Sequence, residues 1–200
     1  HATVNLFDDA WDDDLLTVHP RSVVDAVKEA NQKYPDKRII AHFMQPHYPF
    51  IGEKRRQMDT GGVVGRIGEV NVERKSSHDP TSIWDQLDLG VAEASLDEVW
   101  EAYVENFNLV SEYAAELHEA LGGKTVITSD HGNLFGERLW PVPVQKFGHP
   151  KRIRHPALVE VPWLELPFKT RRQTTSDAPE TSETVEDEIV DERLEALGYV

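Results

Sequence analysis

Apolar positions recur with helical spacing in two long stretches of this chain. After Pro20, which suits a first helical residue, Val23, Val24, Val27, Ala30 and Tyr34 share one face, and Pro35 stops the run. Farther on, Ser95 and Glu98 form a capping box. Val99, Trp100, Tyr103, Val104, Phe107, Val110, Ala114, Leu117 and Leu121 then hold the same spacing until Gly122-Gly123. Each helical stretch is followed by a short apolar one. Arg38 to Phe43, entered through Asp36-Lys37, reads as a buried strand, and Lys124 opens a second one through Val126 and Ile127. Helix then strand, twice over, predicts an α/β fold: a largely parallel sheet flanked by helices.

Between these units the pattern weakens. Residues 51–94 hold six glycines and mixed charges, which predicts a loop-rich insertion with a hairpin around Val63 to Val72. Long insertions of this kind serve as lids or substrate-reading loops, or simply as solvated excursions. Ala157 to Leu166 is a further apolar stretch, and Pro162 within it suits an edge position. The expected organisation is one α/β unit over 1–168, a polar linker over 169–184 and an amphipathic helix over 185–200. That last helix rests on Val185, Ile189, Leu194 and Leu197 and closes at Gly198.

Charge narrows the range of partners. Lys and Arg number 21 against 36 Asp and Glu, a formal net charge of −15. Such a surface repels nucleic acid and anionic lipid, so neither is an expected partner. Residues 177 to 195 carry much of the excess, but Asp8-Asp9 and Asp12-Asp13-Asp14 extend it through the body. The balance fits a protein built to stay soluble in high salt. No apolar run approaches the ~20 residues needed to cross a bilayer, and a cytoplasmic location is expected. The chain has no cysteine, which excludes disulfides, zinc–thiolate sites and a cysteine nucleophile within it. Its first residue is His1, inside an acidic stretch, and we read it as a piece of a longer protein whose front could carry a targeting segment.

Candidate chemistry gathers where strands end. The second strand runs into Ser129-Asp130-His131-Gly132, which sets a carboxylate beside an imidazole. In open α/β sheets ligands bind beyond the carboxyl ends of strands, and this oxygen and nitrogen pair suits a divalent cation. The first strand discharges into Pro46-His47-Tyr48-Pro49, where two prolines hold His47 on a stiff loop. A third histidine stands in Phe147-Gly148-His149-Pro150 and can return to the same rim. Of the others, His42 reads as a satisfied core histidine at a strand end, His118 and His155 as surface residues, and His78 has no assignment.

In order and spacing these motifs resemble the alkaline-phosphatase superfamily, and within it the sulfatase-like hydrolases. The resemblance rests on His42 to Pro49, on a long helix with Tyr103 and Asn106 leading to Thr128-Ser129-Asp130-His131-Gly132, and on Gly136-Glu137. It continues through Gly148-His149-Pro150, Pro156-Ala157-Leu158, Val161-Pro162 and the terminal Leu194 to Tyr199. It implies a hydrolase of sulfate or phosphate esters, small-molecule or glycan, working through a covalent intermediate. Asp130 and His131 match the family's metal-binding pair. His47 matches the histidine that contacts the ester or leaving-group oxygen, and His149 falls where the family places a basic residue. One divalent ion is implied, calcium or magnesium first, with manganese or zinc open because His131 is a softer ligand.

Two departures qualify the likeness. Nothing here matches the family's nucleophile and its further acidic ligand, so the isolated chain is expected to be inactive. No Asp-x-x-x-His pair exists in this sequence, which argues against a two-zinc arrangement. Two rivals remain: a phosphodiesterase or phosphoryl-group transferase of the same superfamily, and a degenerate module without catalysis.

Overall fold

The computed structural model describes residues 2–57, 82–141 and 143–177. A single turn, α1 (Leu6–Asp9), leads to β1 (Trp11–Asp12) and β2 (Thr17–Val18), which pair antiparallel. The first long helix, α2 (Pro20–Lys33), starts at the predicted proline. His19 caps it, its Nδ1 accepting the Arg21 N–H, and the helix stops ahead of Pro35. A 3-10 turn (Glu53–Gln57) and α3 (Ile83–Leu89) follow.

The long helix α4 (Leu96–Leu121) carries both halves of the predicted capping box. The Glu98 N–H donates to Ser95 Oγ, and the Ser95 N–H donates to the Glu98 carboxylate. After Gly122 come β3 (Val126–Thr128), the hairpin β4 (Leu134–Arg138) and β5 (Gln145–Gly148), the short α5 (Pro156–Val159) and β6 (Trp163–Glu165). Among the described residues no helix is long and apolar enough to cross a membrane.

Two apolar clusters hold these elements. Val18, Val23, Val24, Val27 and Leu117 pack α2 against α4 beneath β2, with Ile39, Ala41 and Phe43 laid against them. Glu116 ties the same two helices at the surface, bridging Arg21 at 2.8 Å and Lys28 at 2.6 Å. The second cluster joins α3 to the start of α4 through Phe50, Ile83, Trp84, Ala94, Val99 and Ala102, with Phe135 and Phe147 of the hairpin against it. Val24 and Val99 are fully buried, each worth about 1.5–3 kcal/mol of transfer free energy.

The structure is mixed helix and strand, but the expected large parallel sheet is not found among the described residues. Its three sheets are two-stranded and antiparallel: β1 with β2, β3 with β6, and β4 with β5. Residues 38–43 form no strand. Their side chains do alternate: Ile39, Ala41 and Phe43 face the α2–α4 cluster while Arg38, Ile40 and His42 are exposed. The reason is the edge rather than the pattern. No backbone–backbone hydrogen bond reaches this segment from any described residue, and a strand exists only where another edge pairs with it.

The apolar stretch from Ala157 divides differently from its prediction. Its first residues complete α5, and the strand begins after Pro162. The described part of the expected linker, 169–177, has no helix or strand but is tethered. The Thr175 N–H donates to Asp36 O at 2.9 Å, and Lys37 pairs with Asp177 at 2.6 Å. The expected hairpin around 63–72 and the expected helix over 185–200 lie outside the described residues.

Candidate functional site

Each candidate side chain sits on a loop whose course is set by specific backbone contacts. Asn106, fully buried on α4, holds the His47 loop from beneath. Its Oδ1 accepts the Ile51 N–H at 2.8 Å, and its Nδ2 donates to His47 O at 3.3 Å. The loop after β3 is pinned at Gly132, whose N–H donates to Leu158 O of α5 at 2.9 Å. A Cβ at Gly132 would lie 2.0 Å from Ala157 O, so only glycine lets the two backbones approach this closely. Gly148 has φ +70 and stands against Trp84, turning the chain so that His149 follows directly.

These loops bring three of the candidate imidazoles together. His47 Nε2 lies 2.7 Å from His149 Nε2, with ring centroids 4.9 Å apart. His131 and His149 follow at 4.5 Å between centroids. Asp130 reaches the group through its Oδ2, 3.8 Å from His131 Nε2. Its Oδ1 accepts the His131 N–H at 2.9 Å, which fixes the carboxylate relative to its own backbone.

Hydrogen bonding assigns the protons. His131 Nδ1 contacts Gly132 O at 2.8 Å, and His47 Nδ1 contacts Tyr48 O. A carbonyl only accepts, so both rings carry the proton on Nδ1 and present an Nε2 lone pair. His149 then donates its Nε2–H to His47. Burial, followed by the nearby His149, pushes His47 down to about 4. Burial and then His131 lower His149 as well. Both rings are therefore neutral around pH 7.

His42 requires a correction. Read as a core histidine, it is instead exposed, with its Nε2 4.0 Å from Asp130 Oδ2. The alternation along 38–43 carries the signal: position 42 shares the outward face with Arg38 and Ile40. The other two histidines read as surface residues make local contacts, His155 capping α5 and His118 meeting Thr125 Oγ1 at 3.0 Å. His78 lies outside the described residues. Beside His131 and His149 opens a cavity of about 230 Å³, walled by Ile153 and Leu158 with Lys151 at its edge. None of these three was a sequence candidate.

The donor set meets one requirement of a metal site and lacks another. Metal-binding histidines are commonly oriented by an Nδ1–H anchored on a carbonyl, and His131 Nδ1 meets Gly132 O in that way beside a carboxylate. Yet among the described residues no group of three or more His, Asp or Glu stands ready to hold an ion. A cation at Asp130 and His131 would draw its remaining ligands from water, substrate or other residues. Comparison with protein-family models, with characterised proteins and with solved structures gives no match for this chain.

Proposed function

We propose that the chain supplies half of the active site of a metal-dependent, sulfatase-like hydrolase of sulfate or phosphate esters. The observation that carries this reading is the 2.7 Å approach of His47 Nε2 to His149 Nε2, with the His131 ring against the second of them. Partly buried imidazoles grouped beside a carboxylate suit ester binding: hydrogen-bond donors for the ester oxygens next to a place for a cation.

In this reading Asp130 and His131 hold one divalent ion. That ion would neutralise charge on the ester oxygens. Calcium and magnesium suit the Asp130 oxygens, and the single imidazole ligand, His131, also admits manganese or zinc. His149 offers its Nε2–H to an ester oxygen, and His47 holds the His149 ring in place until substrate arrives. A neutral ring can only hydrogen-bond the departing oxygen; transfer of a proton to it requires the imidazolium form of one ring, which the negative charge of a bound ester favours. Nothing in the sequence matches the family's nucleophile element, so the 200-residue protein alone is expected to turn over neither aryl sulfate nor aryl phosphate.

Thermal unfolding of the full chain with zinc, manganese, calcium or magnesium chloride tests the ion. At a hundred times its dissociation constant a bound metal adds about 2.7 kcal/mol of stability. Asp130→Ala should remove the shift, while His155→Ala should keep it. Titration with inorganic sulfate or phosphate, followed through the His47 and His149 ring resonances, tests the anion. If no metal stabilises the chain and neither anion moves those resonances, the proposal fails.

A further inference from the structure

We infer that the cavity beside His131 and His149 receives the organic part of the ester, an aryl-sized apolar group whose own carboxylate is held by Lys151. The inference rests on the reading above for the ester group itself, at Asp130 and His131. The cavity measures about 230 Å³ and is bordered by the two imidazoles, by Pro150, Ile153 and Leu158 as walls, and by Lys151. An apolar cavity of about 150 Å³ accommodates benzene, whereas pockets for whole drug-sized ligands begin at about 300 Å³. One ring fits, and a sugar chain does not.

The walls also decide against a hydroxylated group. Pro150, Ile153 and Leu158 bring no polar side-chain atoms to the cavity. The backbone of Leu158 is already engaged, its N–H donating to His155 O at 2.8 Å and its O accepting the Gly132 N–H at 2.9 Å. Sugar hydroxyls would enter without partners, at a cost that an aromatic ring avoids.

The rim supplies the second contact. In a chain with 36 acidic residues against 21 basic ones, Lys28, Lys37 and Lys146 each sit against a carboxylate, at 2.6, 2.6 and 2.7 Å. Lys151, Arg152 and Arg154 are exposed, and none pairs with a carboxylate among the described residues. Arg152 stands at φ +65, a left-handed conformation that costs a non-glycine residue about 1–2 kcal/mol. Strain of this kind persists where surrounding structure holds it, and it gathers at ligand sites. Here the turn brings Lys151 and Ile153 both to the border of the cavity, a cation two positions from an apolar wall. An aryl group with a carboxylate answers both.

The test titrates the full chain, in calcium and magnesium chloride, with inorganic sulfate, phenyl sulfate and 4-carboxyphenyl sulfate. Binding is followed through the His131 and His149 ring resonances and the Ile153 methyl resonances. Phenyl sulfate should bind about tenfold more tightly than sulfate, through apolar burial. 4-Carboxyphenyl sulfate should gain about tenfold again, through a hydrogen bond between charged groups. Lys151→Met should bring the two aryl esters level, while Lys151→Arg keeps them apart. Ile153→Ser, with an unchanged circular dichroism spectrum, should weaken both aryl esters by about tenfold and leave sulfate where it was. Equal binding of the two aryl esters, or a preference that survives Lys151→Met, overturns the inference. So does the absence of saturable binding by either aryl ester; if sulfate still shifts the rings, the ester reading stands without it. If 4-carboxyphenyl sulfate instead binds through Lys151 and Ile153 while sulfate moves no ring, the cavity's ligand class stands and the ester reading loses its anion.

Discussion

Asn106 and His47 are joined across the floor of the site: the Asn106 amide donates to the His47 carbonyl at 3.3 Å while its oxygen accepts the Ile51 N–H at 2.8 Å. One fully buried side chain thus ties the loop that carries His47 to α4 at both ends. Leucine at this position would fill similar space but leave the Ile51 N–H without a partner. Asn106→Leu is expected to cost about 1–3 kcal/mol in urea unfolding. Asn106→Asp keeps the acceptor for Ile51 and loses the donor to His47. It should therefore shift the His47 ring resonances while holding the Ile51 amide protected from hydrogen exchange.

Gly132 and Gly90 make a paired test of crowding against backbone strain. At Gly132 a Cβ meets Ala157 O at 2.0 Å, whereas at Gly90 it meets nothing within 4 Å and only the φ of +68 opposes it. Gly90→Ala should cost roughly 1–2 kcal/mol, the penalty of a left-handed alanine. Gly132→Ala must also push α5 off the loop after β3. It should lower the melting temperature further and move the His131 and His149 resonances, which Gly90→Ala should leave in place.

Protonation of His47 sets a pH dependence with a definite sign. Its folded value of about 4 lies below the ordinary 6.5, chiefly through burial. Between these two values the unfolded chain binds more protons than the folded one. Stability in metal-free buffer should accordingly be full above pH 6.5 and decline as pH falls toward 4. Proton NMR should show His47 titrating near pH 4 and His155→Ala leaving that midpoint unmoved. A His47 midpoint near 6.5 would contradict the buried, neutral ring.

Ser95 accepts the Glu98 N–H, and Glu98 in return accepts the Ser95 N–H and Oγ–H. Ser95→Ala should cost about 0.5–2 kcal/mol. The loss should appear first as faster amide exchange at residues 96–99. Val99 and Ala102 belong to the cluster beneath the hairpin, so the effect should spread to Phe135 and Phe147 rather than to α2.

Much of the local architecture was legible before any coordinates. Pro20 and Pro35 bracket α2, the Ser95–Glu98 box starts α4, Gly122 ends it, and β3 follows where Val126 and Ile127 stand. These signals act over a few residues: a capping side chain, a fixed φ, an apolar stripe repeating every turn. His47, Asp130, His131 and His149 stood out because each sits where regular structure stops beside proline or glycine.

Tertiary structure decided what those short-range signals cannot encode. Whether residues 38–43 become a strand depends on an edge supplied from elsewhere, and none of the described residues supplies one. Alternation placed Ile39 inward and His42 outward, but only the fold set His42 beside Asp130. Likewise β3 found its partner in β6, antiparallel, instead of in a parallel neighbour after the first helix. Capping and periodicity are settled within one turn of chain, whereas strand pairing and the meeting of His47 with His149 join segments about a hundred residues apart.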